Sequence, residues 1–250
     1  AEKESEAETK QKTIFSLGFR CSSASIIKEL GLKFESYPFD WLVSRLHVIR
    51  HCIETDFAEF MNKENYVFRI TKTYEMASSD KQFICDEHIM LNRFYQPPNL
   101  MEFENTYQAH LATNHHNITE PESYDYYQRC IHRFNERLHT NDPLLYVHIT
   151  PLSPLSDYKE PEAIKECTEF HEFMRSKNDG VTGLFFIMVR DDESPHFRWD
   201  LLSDNDDDNK SPTIYLIKAN QCFLDAGESF IGDFHREKEF IKGVILEYKN

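Results

Sequence analysis

Three short runs in the second half of the chain, Leu144–Ile149, Gly183–Val189 and Thr213–Ile217, are apolar at nearly every position rather than at every second one. Strands of that kind are covered on both faces, which calls for helices above and below a parallel sheet. The segments around them carry the matching helical period. Pro121–Leu138 places Tyr124, Tyr127, Ile131, Phe134 and Leu138 at steps of three and four, with Pro121 in the first turn. Pro161–Met174 does the same with Ile164, Cys167, Phe170 and Met174, and a last stripe runs through Ile241, Val244, Ile245 and Tyr248. The order strand, helix, strand, strand, helix predicts an α/β fold, a three-layer, mostly parallel, Rossmann-like sheet with helices on both faces. In the first half, Thr13–Leu17 reads as a strand ending at Gly18. A helix follows, capped by Ser22 or Ser23, running through Ala24, Ile26, Ile27 and Leu30 and stopped by Gly31. Leu42–Glu54 and Phe57–Met61 read as helices, Tyr66–Met76 and Phe83–Leu91 as strands. Residues 1–12 are charged and aperiodic, a linker or frayed segment, which leaves 13–250 as a single α/β domain.

Charge narrows the partners. The 43 acidic residues outnumber the 28 basic ones, for a net −15, where a nucleic-acid binder needs a basic face. An anionic membrane surface is disfavoured for the same reason. No apolar run approaches the roughly 18–20 residues of a membrane span. The six cysteines are scattered without a CxxC pair, which excludes a zinc ribbon or a dense disulfide scaffold. With a polar N-terminus in place of a secretory signal, they suggest reduced thiols and a cytoplasmic location. The start at Ala1 suggests one domain of a larger polypeptide. Glycine, at 7 residues, falls well below its usual share of about 7%. Neither GxGxxG nor GxxxxGK[ST] occurs.

Three places could hold chemistry. The turn Gly18-Phe19-Arg20-Cys21-Ser22-Ser23 follows the first strand, at the carboxyl edge where open α/β sheets bind ligands. The helix behind it offers free N–H groups and the positive end of its dipole. With Gly18, Arg20, Ser22 and Ser23, that turn could hold a phosphate or pyrophosphate. The same field would favour a nucleophilic thiolate at Cys21. Secondly, Asp40 lies between Phe39 and Trp41, a setting that raises a carboxylate's pKa and suits a general base, or a helix N-cap. Thirdly, the strand 183–189 ends in Arg190-Asp191-Asp192-Glu193. Asp191 and Asp192 resemble the Asp-x-Asp element with which many glycosyltransferases hold a divalent metal, and carboxylates suit Mg²⁺ or Mn²⁺. His115, His116 and His148 stand at no recognisable ligand spacing.

The runs Ser16-Leu-Gly-Phe-Arg-Cys-Ser22, Leu30-Gly-Leu32 and Tyr37-Pro-Phe-Asp-Trp-Leu-Val-Ser44 resemble a family of domains of unknown function labelled papain-like cysteine peptidases. The likeness is specific over about residues 13–60 and loose beyond. It implies Cys21 as nucleophile and a later histidine as base. In that family the histidine opens a His-Asp pair; the nearest match is His88, and Ile89 follows it in place of Asp. The resemblance also implies company with enzymes of glycan assembly.

Two enzymatic readings and one binding reading follow. A parallel sheet and that company suit a glycosyltransferase, moving a sugar from a nucleotide-sugar donor over the Gly18–Ser23 turn to a glycan hydroxyl. Asp40 or His88 would then act as base, with Mn²⁺ or Mg²⁺ at Asp191 and Asp192, or no metal. The alternative is a thiol hydrolase using Cys21 with His88. A non-catalytic glycan- or protein-binding module is the third.

Overall fold

A computed structural model of the chain describes residues 12–18, 21–78, 81–96, 109–113, 116–152, 159–190, 197–203, 211–219 and 235–249, with backbone alone for 69–78, 81–88, 151, 190, 219 and 235. In chain order the elements are β1 (Thr13–Ser16), α1 (Ser22–Glu29), β2 (Leu42–Ser44), α2 (Leu46–Glu54), α3 (Ala58–Met61), β3 (Tyr66–Ser78), β4 (Lys81–Asn92) and β5 (Leu111–Thr113). Then follow α4 (Pro121–Leu138), β6 (Leu144–Leu152), α5 (Glu160–Lys177), β7 (Val181–Arg190), β8 (Arg198–Ser203), β9 (Thr213–Ala219) and α6 (His235–Tyr248).

The principal sheet has the order β1-β6-β7-β9-β8; the first four strands are parallel and β8 is an antiparallel edge. Its alternate residues feed two cores. Ile14, Val147, Ile149, Phe186 and Ile217 pack under α1 and α6, against Ile26, Ile27, Ile241 and Val244. Phe15, Tyr146, Phe185, Ile187 and Leu216 face the other way, toward Val48 and Cys52 of α2, Phe134 and Leu138 of α4, and Phe170 and Met174 of α5. Burial on both faces is why these strands read as unbroken apolar runs. The fold class is therefore as expected: α/β, three layers, mostly parallel.

A second, antiparallel sheet of order β2-β5-β4-β3 joins the α4–α5 side, and its Leu42, Tyr66, Met90 and Leu111 belong to the same core. It overturns one expectation. The helix read over Leu42–Glu54 begins only at Leu46, because Leu42, Val43 and Ser44 pair with Thr113, Ala112 and Leu111. The strands β5 and β8 carry no signal of their own. The former has three residues, and the latter is an exposed edge where no apolar run is needed. The hairpin of β3 and β4 lies where expected, with a register shift between Ile70 and Lys72.

α1 ends where Gly31 and Leu32 donate back to the carbonyls of Lys28 and Ile27, the paired bonds of a Schellman stop. Among the described residues no helix is long and apolar enough to cross a membrane.

Candidate active site

The end of β1 is locked by side chains from three other segments. Gly18 has φ +79°, and a Cβ there would lie 2.2 Å from Ser44 Oγ, so a side chain would be excluded on both counts. Ser44 Oγ donates to the Leu17 carbonyl at 3.2 Å, which fixes β2 against β1. His148 Nδ1 reaches the same carbonyl at 3.0 Å. A carbonyl only accepts, so His148 carries its proton on Nδ1 and keeps the lone pair on Nε2. His148 is 2% exposed, and burial lowers its pKa to about 4; the Leu17 bond and Glu166 oppose that shift and Arg45 adds to it. The ring is neutral at neutral pH.

On the other side of β1, Ser23 Oγ donates to the Gly18 carbonyl at 2.9 Å, so Ser16 Oγ donates to Ser23 Oγ at 2.7 Å. Ser23 thus fastens α1 to its strand. Ser22 Oγ, one residue earlier, and Thr150 Oγ1 at the end of β6 are both buried without a hydrogen-bond partner among the described residues. Cys21 is the N-cap of α1, partly exposed; its carbonyl accepts from Ser25 N at 2.8 Å and its side chain makes no capping bond. The first turn holds no acidic residue to offset the helix dipole. Cys52, Cys130 and Cys167 are buried, and burial pushes all three thiols up, Cys52 to about 12. Arg20, Asp191 and Asp192 lie outside the described residues.

Asp40 has a structural setting. It is fully buried, forms an ion pair with Lys33, and accepts from Tyr37 N at 2.7 Å on the same oxygen, Oδ2. Burial raises its pKa and Lys33 pulls it back. It closes the Tyr37–Asp40 turn, whose Phe39 packs on Phe57 and Phe134. For His88 the description covers backbone only. Met90 is level with Thr113, and Thr113 with Leu42. His88 therefore stands four rows and two strands from Ser44, a backbone separation of roughly 16 Å at ordinary sheet spacings.

A cluster that sequence reasoning missed lies at the Ser44–Leu111 end of the small sheet. His47 is the second residue of α2; its backbone N–H and its Nδ1 both reach Glu166 Oε1 of α5, at 3.1 and 3.2 Å. Its Nε2 lies 3.2 Å from His110 Nδ1, and His110 O accepts from Arg45 N at 3.1 Å. Burial, with His47 and Arg45, takes His110 down to about 4. These residues are up to 119 positions apart, and no local pattern joins them. His148 did leave a trace: an imidazole followed by Thr150 near the carboxyl end of an otherwise apolar strand. Among the described residues, no three His, Cys, Asp or Glu side chains group as a metal site.

No curated protein and no solved structure matches the chain. Residues 12–193, which span β1 to the end of β7 and include Cys21, Ser44 and His148, match a family model described as putative papain-like cysteine peptidase, and the chain belongs to that family.

Proposed function

We propose that the protein is a thiol hydrolase with Cys21 as nucleophile and His148 as its base. One observation carries the reading. Of the four cysteines whose side chains are described, Cys21 alone is partly exposed, at a helix N-terminus on the carboxyl edge of a parallel sheet. The family description favours thiol chemistry over sugar transfer. A glycosyltransferase would draw support from the open parallel sheet alone, since Arg20, Asp191 and Asp192 lie outside the described residues.

In this reading the Cys21 thiol gives its proton to His148 Nε2 as Sγ attacks a substrate carbonyl carbon. The N–H groups at the head of α1 receive the oxyanion. Collapse breaks the bond to the leaving group, which takes the proton from His148. Water then cleaves the acyl-enzyme by the reverse transfers and restores the thiol. Leu17 holds the imidazole in the tautomer this needs. A base with a pKa near 4 is weak by itself, so in this reading the thiolate has to come into contact with the imidazolium and stabilise it.

The test is alkylation of the folded protein by iodoacetamide at pH 7, read at each cysteine by peptide mapping. Cys21 should react at least about tenfold faster than an unstructured peptide carrying the same residues. His148→Asn, whose amide nitrogen can keep the bond to Leu17, should remove most of that advantage. Cys21 reacting no faster than the peptide, or equally fast in His148→Asn, would reject the assignment.

A further inference from the structure

We propose that His47 and His110 form a site for a divalent transition metal, Zn²⁺ by preference, with Glu166 as the carboxylate behind His47. The Nε2 of His47 and the Nδ1 of His110 are 3.2 Å apart, with the rings at 74°. Two imidazole nitrogens bound at about 2.0–2.1 Å to one tetrahedral Zn²⁺ lie about 3.3 Å apart. The two nitrogens are therefore already spaced as two ligands, and metal entry requires each ring to turn by about 35° so that its lone pair leaves the N···N line for the ion.

The orientation of His47 is already that of a ligand. Glu166 Oε1 accepts from both the backbone N–H and the Nδ1–H of His47, and so directs the Nε2 lone pair outward. A carboxylate on the far nitrogen of a metal-bound histidine is the usual supporting contact. With Nδ1–H of His47 committed to Glu166, His110 donates its own Nδ1–H to His47 Nε2. Metal entry moves that proton to His110 Nε2, and both lone pairs then face the ion. No proton leaves the protein.

Imidazole favours Zn²⁺, Ni²⁺ or Cu²⁺ over the Mg²⁺ or Mn²⁺ that carboxylates at Asp191 and Asp192 would take. Arg45 beside His110 opposes a cation and Glu166 offsets it. No third His, Cys, Asp or Glu joins the pair among the described residues, so the two imidazoles are the ligands these residues supply. The His47 ring is half exposed, which leaves that side open. The site is independent of the role given to Cys21.

The experiment is titration of EDTA-stripped protein with Zn²⁺ by calorimetry, and with Co²⁺ by visible absorption. The wild type should bind one equivalent saturably. His47→Ala and His110→Ala should each abolish that binding, Glu166→Gln should weaken it by about 10–100-fold, and His132→Ala, an exposed histidine elsewhere on α4, should leave it unchanged. Thermal unfolding of each variant without metal checks that the fold is retained. Wild-type protein without saturable binding, or binding unchanged in both His47→Ala and His110→Ala, overturns the proposal.

Discussion

Asp40 carries a charge in a place where water cannot reach it, and one lysine makes that tolerable. Lys33 pairs with its Oδ2, Tyr37 N–H adds a second bond, and Oδ1 has no hydrogen-bond partner among the described residues. A buried pair so incompletely satisfied gives little net stability, yet removing either member strands the other. Lys33→Met is expected to destabilise the fold by about 3–5 kcal/mol in urea unfolding. The double variant Lys33→Met/Asp40→Leu should cost less than the single one, a coupling that a double-mutant cycle reads directly. A double variant as damaging as the sum of its singles would refute this account. The desolvation of Asp40 was legible from Phe39 and Trp41 on either side. Its partner was not, because the turn that returns Asp40 to Lys33 is held by Phe39 against Phe57 and Phe134, residues distant in sequence.

At the level of elements, one tight fit is between the two central strands and α5. Tyr146 Oη on β6 bonds His171 Nδ1 on α5 at 2.8 Å, and both pass over Gly183 on β7. A Cβ at Gly183 would stand 2.3 Å from Tyr146 Oη, 2.6 Å from its Cζ and 2.9 Å from His171 Nδ1. The phenol is fully buried and β7 is paired on both sides, so neither can yield. Gly183→Ala is therefore expected to cost at least the roughly 1–3 kcal/mol of an overpacked core and to lower the melting temperature by several degrees. An unchanged melting temperature would show that α5 can lift away. Elements announced themselves in proportion to their length and burial. α4 matches the expected Pro121–Leu138, and β6 and β7 contain the runs that predicted them. β2 was hidden inside a helical pattern, since Leu42–Ser44 is extended only because β5 lies beside it. The carboxyl-edge turn was recognisable as a candidate site from strand, glycine and helix start. The contributions of Ser44 and His148 to it depend on that second sheet and on strand order, which no local window contains.

For the molecule as a whole, His148 links the candidate site to stability through pH. Its folded pKa is about 4 against 6.5 for a free imidazole, so between those values the unfolded chain binds the extra proton and the folded chain does not. Unfolding is then favoured as pH falls, and stability rises with pH through the same window. The full span of about 2.5 units corresponds to roughly 3 kcal/mol. Acidification also relieves the repulsion within a chain of net charge −15, an effect of opposite sign spread over the surface. His110, likewise depressed, acts in the same direction as His148. Comparing wild type with His148→Asn cancels these shared contributions. Urea unfolding in EDTA at pH 7, 6 and 5 should show the wild type losing stability more steeply than the variant, with the gap opening below pH 6.5. Parallel curves would mean that the folded protein takes up the proton on His148 as readily as the unfolded chain does, so that burial does not depress its pKa.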